Sequence, residues 1–236
     1  MFLAERTRGR WIAAWVTHAL TASGAVWGLL ALVAATERDW KTTFGWVFVA
    51  GAVDSVDGTL ARMVGVKRVT PEFDGALLDN TMDYVTYVFV PAFVMHHAGL
   101  LPTSISVSVA AVICVASAYQ FCQRNAKTSD CFFLGFPSYW NIVAFYLFLG
   151  DLDPRVNATL VVVLAVFAFV PLKWVYPSRM TRWRQETLVA TGTWAVMCVA
   201  MLARFPSPPS WLLVSSLGYV GYYVAVSLYL QTHPET

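Results

Sequence analysis

The chain has 236 residues, 58% of them hydrophobic and only 13% charged, against roughly a quarter charged in soluble domains. A soluble fold of this size cannot hide so much apolar surface, so the composition points to the membrane class. A net charge of +2 is too small for a nucleic-acid binder built on a basic face. The length suits one membrane domain over residues 1–236, and the four cysteines (Cys114, Cys122, Cys131, Cys198) match no zinc spacing and no paired framework.

Taken in chain order, eight apolar runs stand out, at roughly 11–35, 43–62, 75–97, 103–122, 138–150, 156–173, 187–204 and 211–230. Most are near the ~20 residues that span a bilayer. The first lacks a small-residue cleavage site and is expected to stay as a membrane helix rather than a signal peptide. Gly24 and Gly28 within it form a GxxxG pair that permits close helix contact. Prolines separate the later runs: Pro71, Pro102, Pro137, Pro154, Pro177 and the Pro206–Pro209 cluster. The runs are continuous rather than alternating, which excludes a β-barrel, and bilayer-exposed backbone must bond to itself. The predicted fold is therefore all-α, a polytopic membrane helix bundle of about eight transmembrane helices.

Lys and Arg set the orientation. With the N-terminus inside, the inside segments carry twelve of the sixteen basic residues, from Arg6 to Arg184, and the outside ones carry four: Arg38, Lys41, Arg155 and Arg204. Both termini are expected to be cytoplasmic. The Asn157-Ala158-Thr159 glycosylation pattern lies almost against a membrane helix and carries little weight.

Ten of the fourteen acidic residues lie in tails or connections. The other four are Asp54 and Asp57 in the second run, and Asp79 and Asp83 in the third. A carboxylate in hydrocarbon costs several kcal/mol or more, by contested estimates of about 2.5 upward. The i,i+3 and i,i+4 spacings put each pair on one helical face. If the two helices are antiparallel, both faces converge, and four converging carboxylates need cations between them. Hard divalent ions, Mg²⁺ or Mn²⁺, suit an all-oxygen set. An ionic network that fixes helix register, or a cation or proton pathway in a transporter, stays open from spacing alone.

The segment from Asp54 to Arg62 (DSVDGTLAR), followed by Gly75 to Asp83 (GALLDNTMD), resembles the signature of the CDP-alcohol phosphotransferases. That signature is D-x-x-D-G-x-x-A-R, a spacer, then G-x-x-x-D-x-x-x-D, and all eight fixed positions are met. The twelve residues between Arg62 and Gly75 exceed the commonest spacer and resemble the variant in bacterial phosphatidylcholine synthases. Residues 125–141 and 171–179 look like that subgroup as well.

The resemblance implies that Asp54, Asp57, Asp79 and Asp83 hold Mn²⁺ or Mg²⁺, two ions in all, with Asp83 sharing the second ion or acting as the catalytic base. Gly58, Ala61 and Arg62, with Gly75, would cradle the CDP moiety. The implied substrates are CDP-diacylglycerol and choline, giving phosphatidylcholine and CMP. The setting would be the bacterial inner membrane, with the site toward the cytoplasm and a homodimer as one possible assembly. A quaternary ammonium binds to aromatic faces near negative charge, and Tyr84, Tyr87, Tyr139, Trp140 and Tyr176 lie in segments that could supply them. Asn141 and Asp130 are weaker candidates for acceptor or loop contacts. Serine, glycerol phosphate or inositol phosphate are alternative acceptors. The only basic residues in the runs, Arg62, Lys173 and Arg204, lie at run ends, which argues against a phosphorylated one.

Overall fold

A computed structural model describes residues 8–128 and 130–233. Arg6, counted above among the inside basic residues, lies outside them, as does Ser129. The chain divides into two compact units, Met1–Ala98 and Gly99–Thr236.

In the first unit, α1 (Arg8–Ala22) and α2 (Gly24–Thr36) run on through Ser23. The Ser23 hydroxyl donates to Leu20 O at 2.6 Å and accepts from Trp27 Nε1 at 3.0 Å, a back-bond that bends helices. Helix α3 (Trp40–Val64) begins at Asp39, whose carboxylate accepts the Thr42 N–H at 3.1 Å. It ends at Gly65, where φ is +73° and a side chain would be strained. After the short α4 (Val66–Val69), Asp74 caps α5 (Gly75–Asp83) by accepting the N–H groups of Ala76 and Leu77 at 3.1 and 3.0 Å.

Helix α5 does not stop at Asp83. It passes through a π-helical turn, Tyr84–Phe89, into α6 (Val90–His97). Within the turn the Val90 N–H bonds to Val85 O, five residues back. Pro91 supplies a cause: it has no N–H for the Tyr87 carbonyl, and its ring crowds that carbonyl, so a widened turn relieves both problems.

Small residues let this acid-bearing stretch pack close to α2. A Cβ on Gly24 would lie 3.2 Å from Met82 Cβ, and one on Gly28 would lie 3.1 Å from Val85 Cγ1. The GxxxG pair thus faces the α5–π segment, which fixes where Asp79 and Asp83 sit.

The second unit holds α7 (Ser106–Cys122), β1 (Phe132–Leu134), α8 (Trp140–Gly150), α9 (Pro154–Phe167), β2 (Lys173–Val175), α10 (Arg184–Ala203) and α11 (Ser210–Thr232). Helix α7 packs on α9, and α10 on α11. Strands β1 and β2 pair antiparallel, Phe132 opposite Val175 and Leu134 opposite Lys173. Helix α11 covers the free edge of β2. Ser227 Oγ accepts from Val175 N at 3.1 Å, Gln231 Oε1 accepts from Lys173 N at 2.7 Å, and Tyr223 donates to Val175 O at 3.0 Å. That disposes of edge groups that would otherwise lack partners. Beside the sheet, Lys173 pairs with Asp130. This bond and one from Thr128 hold the Asp130 carboxyl below the usual carboxylate range.

Each of the eight apolar runs contains a helical stretch: 8–36, 40–64, 75–97, 106–122, 140–150, 154–167, 184–203 and 210–232. The sixth is shorter than expected. Its helix ends at Phe167, and Lys173 is already in β2, because Pro171 cannot continue the ladder and biases the preceding residue toward extended backbone. Three stretches, Arg8–Thr36, Arg184–Ala203 and Ser210–Thr232, are long and apolar enough to cross a membrane. The protein is an all-α membrane protein with one small sheet. Asn157 is buried and its amide donates to Leu100 O at 3.0 Å, which leaves that nitrogen unavailable for a glycan.

Gly135 has φ +80°, and a Cβ there would lie 2.6 Å from Ala168 O and 2.9 Å from Gln120 Oε1. Gly135→Ala should therefore lower the thermal midpoint in detergent by several degrees, given about 1–3 kcal/mol for the backbone strain alone. An unchanged midpoint would mean that the 134–136 backbone does not approach Ala168.

A candidate metal centre

Two helices bring the acids together. Asp54 and Asp57 are one turn apart on α3, while Asp79 and Asp83 are one turn apart on the α5 stretch. Asp54, Asp57 and Asp79 each offer an oxygen within 4.8 Å of the other two. Asp83 lies outside that group but lines the same cavity, with Thr21, Gly24, Ala50, Val53, Met82 and Thr86. The cavity measures about 10 Å³, room for about one water-sized sphere.

The acids are held by side-chain bonds. Asp57 is 4% exposed and accepts from the Thr21 hydroxyl at 2.7 Å. Asp54 accepts from the Tyr87 hydroxyl at 2.8 Å. Each bond is accepted by an Oδ2 and restrains the orientation of its carboxylate.

The residues fit a hard divalent ion. Opposed ligands on Mg²⁺ are about 4.2 Å apart, twice a ~2.1 Å bond, so a spread within 4.8 Å closes with small side-chain rotations. Neither Cys nor His belongs to the group, which disfavours zinc.

The remaining motif residues have structural partners. Arg62 is exposed and donates through Nη2 to Thr59 Oγ1 at 2.9 Å. A Cβ on Gly58 would lie 3.5 Å from Arg62 Nη1, so the guanidinium folds back along its own helix. Ala61 packs against the buried cluster of Ala14, Val66 and Val69. The position of a Cβ on Gly75 is filled by the His18 ring, with Cε1 2.9 Å away.

The five aromatic candidates are divided between the two units. Tyr84 and Tyr87 belong to the π turn of the first unit. Tyr139, Trp140 and Tyr176 belong to the second unit. There, Phe133 stacks on Tyr176 at 4.5 Å and meets Tyr139 edge-on at 6.4 Å. Arg179 lies over the Tyr176 ring at 5.2 Å. Trp140 is fully buried, donates to Ser117 Oγ at 2.8 Å and packs edge-on against Phe136. Asn141 accepts the Ile142 N–H at 2.9 Å, and Asp130 is paired with Lys173.

Sequence reasoning did not find Thr21 or His18 as neighbours of the acidic motif. Both lie on α1, more than thirty residues from the groups they bond. The available signal was polar residues at i,i+3 within an otherwise apolar run, at His18 and Thr21.

No family profile matches the chain. Curated relatives do. It is 38% identical over 235 residues to a phosphatidylcholine synthase of Legionella pneumophila, covering 97% of this chain and 92% of that one. It is 37% identical over 216 residues to one of Pseudomonas aeruginosa, with 92% and 91% covered. It is 38% identical over 226 residues to one of Rhizobium meliloti, with 95% and 93% covered. At this identity across nearly the whole of each chain, the protein belongs to the phosphatidylcholine synthase family.

Proposed function

We propose that the protein is a metal-dependent phosphatidyltransferase of the bacterial inner membrane, moving the phosphatidyl group of CDP-diacylglycerol to choline and releasing CMP. The observation that carries this reading is the convergence of Asp54, Asp57 and Asp79 within 4.8 Å on a cavity that Asp83 also lines. The eight helical stretches read as eight spans, with both termini inside. The α3 helix then reaches the cytoplasm at Arg62, and the next stretch leaves it near Gly75. Both acid pairs lie in the cytoplasmic half, where a nucleotide head reaches them while acyl chains stay in lipid.

Asp54, Asp57 and Asp79 are the residues to hold Mg²⁺ or Mn²⁺, and a second ion would share Asp79 and Asp83. A bound divalent ion supplies charge neutralisation for a pyrophosphate and for the CMP that leaves it. Asp83 accepts the proton of the acceptor hydroxyl. That oxygen forms a bond to the phosphorus joined to diacylglycerol, and the bond from that phosphorus to CMP breaks. Arg62, an exposed planar fork at the mouth of α3, matches a phosphate of the donor. Thr21 and Tyr87 keep the ligating carboxylates oriented.

Among the aromatic candidates, Tyr87 has the best placement for the cation. Its hydroxyl bonds Asp54, so an aromatic ring and a carboxylate lie close together, the two groups a quaternary ammonium uses. Tyr176 is stacked on Phe133 and covered by Arg179, and Trp140 is buried, so neither is a ready cation platform.

Purified protein given CDP-diacylglycerol and Mn²⁺ should release CMP with choline, and far less with serine, glycerol phosphate or inositol phosphate. Asp54→Asn, Asp57→Asn, Asp79→Asn and Asp83→Asn should each reduce release by about a hundredfold or more, on the scale of lost charge stabilisation or acid–base catalysis. Release that survives chelation of divalent ions, or choline performing no better than the other alcohols, would overturn the reading.

Tyr87→Phe keeps the ring and loses the bond to Asp54, whereas Tyr87→Ala loses both. Tyr87→Ala is expected to raise the KM for choline well beyond the effect of Tyr87→Phe, while the KM for CDP-diacylglycerol, sensitive to the Asp54 bond that both variants lose, shifts to the same extent in both. Steady-state kinetics with each substrate varied in turn checks this. Equal choline KM values in the two variants would exclude a ring contact.

A further inference from the structure

Helix α1 touches both acid-bearing helices from one face. Thr21 donates to Asp57 on α3 at 2.7 Å. One turn earlier, His18 Nε2 lies 3.0 Å from Thr70 Oγ1, both groups buried. Thr70 ends α4 and begins the connector that leads into α5. The His18 ring also packs against Phe73 of that connector at 4.4 Å and against Trp15 at 5.6 Å. Its Cε1 and Nδ1 lie 2.9 and 3.3 Å from where a Cβ on Gly75 would be. The ring is therefore pinned by a hydrogen bond, clustered with two aromatic rings that also meet each other at 5.3 Å, and seated against the first residue of α5.

We infer that His18 is a positioning residue of the metal centre, acting as a fixed spacer between α1 and the start of α5 that sets the height of Asp79 against Asp54 and Asp57. This rests on the metal-site reading of those acids. Gly75 is then required because only a residue without a Cβ can seat on the ring. Asp79 is one helical turn beyond Gly75 on the same face. A methyl group at Gly75 must move from 2.9 Å to an ordinary contact of 3.4–4 Å, a displacement of about half an ångström or more when ligand distances tolerate only about 0.2 Å. The ring cannot easily yield, since Thr70, Phe73 and Trp15 hold it. A direct substrate contact by Gly75 is the competing explanation for its presence, and the two make opposite predictions about a double variant.

Gly75→Ala should weaken Mn²⁺ binding to the purified protein, measured as free Mn²⁺ by electron paramagnetic resonance without donor lipid. It should also slow CMP release by about tenfold to a hundredfold, the scale of an ångström-size misplacement. In the His18→Ala background the same substitution should cost less than about twofold in either measurement, because neighbours that share one contact are non-additive. Thr70→Val keeps the shape and removes the hydroxyl, so it should loosen Mn²⁺ binding with a smaller loss of thermal midpoint than His18→Ala. Equal costs of Gly75→Ala in both backgrounds would overturn the inference and assign Gly75 to the ligand. Should His18→Ala fail to fold, His18→Asn, with a smaller side chain that keeps a hydrogen-bonding end, provides the second background. Mn²⁺ binding reads the spacer even if choline proves not to be the acceptor, so the two readings fail separately: no CMP release by the unaltered protein sinks the activity, and additivity sinks the spacer.

Discussion

Mutual repulsion of carboxylates is the constraint around which the first unit is organised. Oxygens from three aspartates lie within 4.8 Å of one another. At an effective dielectric of about 20, each such pair of full charges costs roughly 3 kcal/mol or more, before any cost of removing them from water. An apolar helix pair tolerates that only if a cation joins the group or a carboxyl holds its proton. The helices supply no cation of their own at the cavity. Its lining is acidic, small, hydroxyl or apolar, and Arg62 turns back over Gly58 toward Thr59. A divalent ion bound there, as proposed above, would convert a destabilising cluster into a site for a polyanionic substrate.

Holding such a cluster is a packing problem as much as an electrostatic one. Two acids on α3 and two on the next stretch converge only if the helix backbones approach closely. The approach comes from small residues on neighbouring helices: Gly24 against Met82, Gly28 against Val85, Gly75 against His18. Hydroxyl groups then aim the carboxylates once the backbones are in place. The π turn links the two functions. It follows Asp83 directly and rotates Tyr87 so that its hydroxyl reaches Asp54 on the facing helix. The acidic residues and the residues that set spacing are thus interleaved along neighbouring stretches.

How far this was legible in the sequence depends on the range of the interaction. The i,i+3 and i,i+4 acid pairs are local, and their convergence follows from helix period plus one antiparallel pairing. The GxxxG pair was equally legible, though not the Met82 and Val85 partners it would meet. The Thr21–Asp57 and His18–Thr70 bonds span 36 and 52 residues, and nothing local marks which polar group a threonine or histidine will meet. Gly75 was expected from the resemblance to help cradle the CDP moiety, and the structure supplies a packing partner for it, His18. The π turn had a signal, Pro91 inside an apolar run, but a proline there is compatible with a kink as well. The β1–β2 pair lies in connections with no alternating pattern, and its partners on α11 are more than fifty residues from Lys173 and Val175 in two of the three bonds. Tyr176 and Trp140 illustrate a further limit: residue type offered them as cation platforms, while Arg179 over one ring and complete burial of the other depend on packing that composition does not encode.

The same cavity bears on the choice of acceptor. A phosphorylated alcohol would bring additional negative charge to a wall of four aspartates and would need a second cationic clamp; among the described residues lining the cavity there is none. A zwitterionic acceptor such as serine needs a partner for its carboxylate as well as for its ammonium. A quaternary ammonium has neither demand, since it takes no hydrogen bond and is favoured by diffuse negative potential and an aromatic face. Tyr87, whose hydroxyl bonds Asp54, is the residue proposed to supply that face. With metal neutralising the acids on the donor side, no cationic lining residue would remain to pair an anionic group on the acceptor, and a permanent cation makes no such demand.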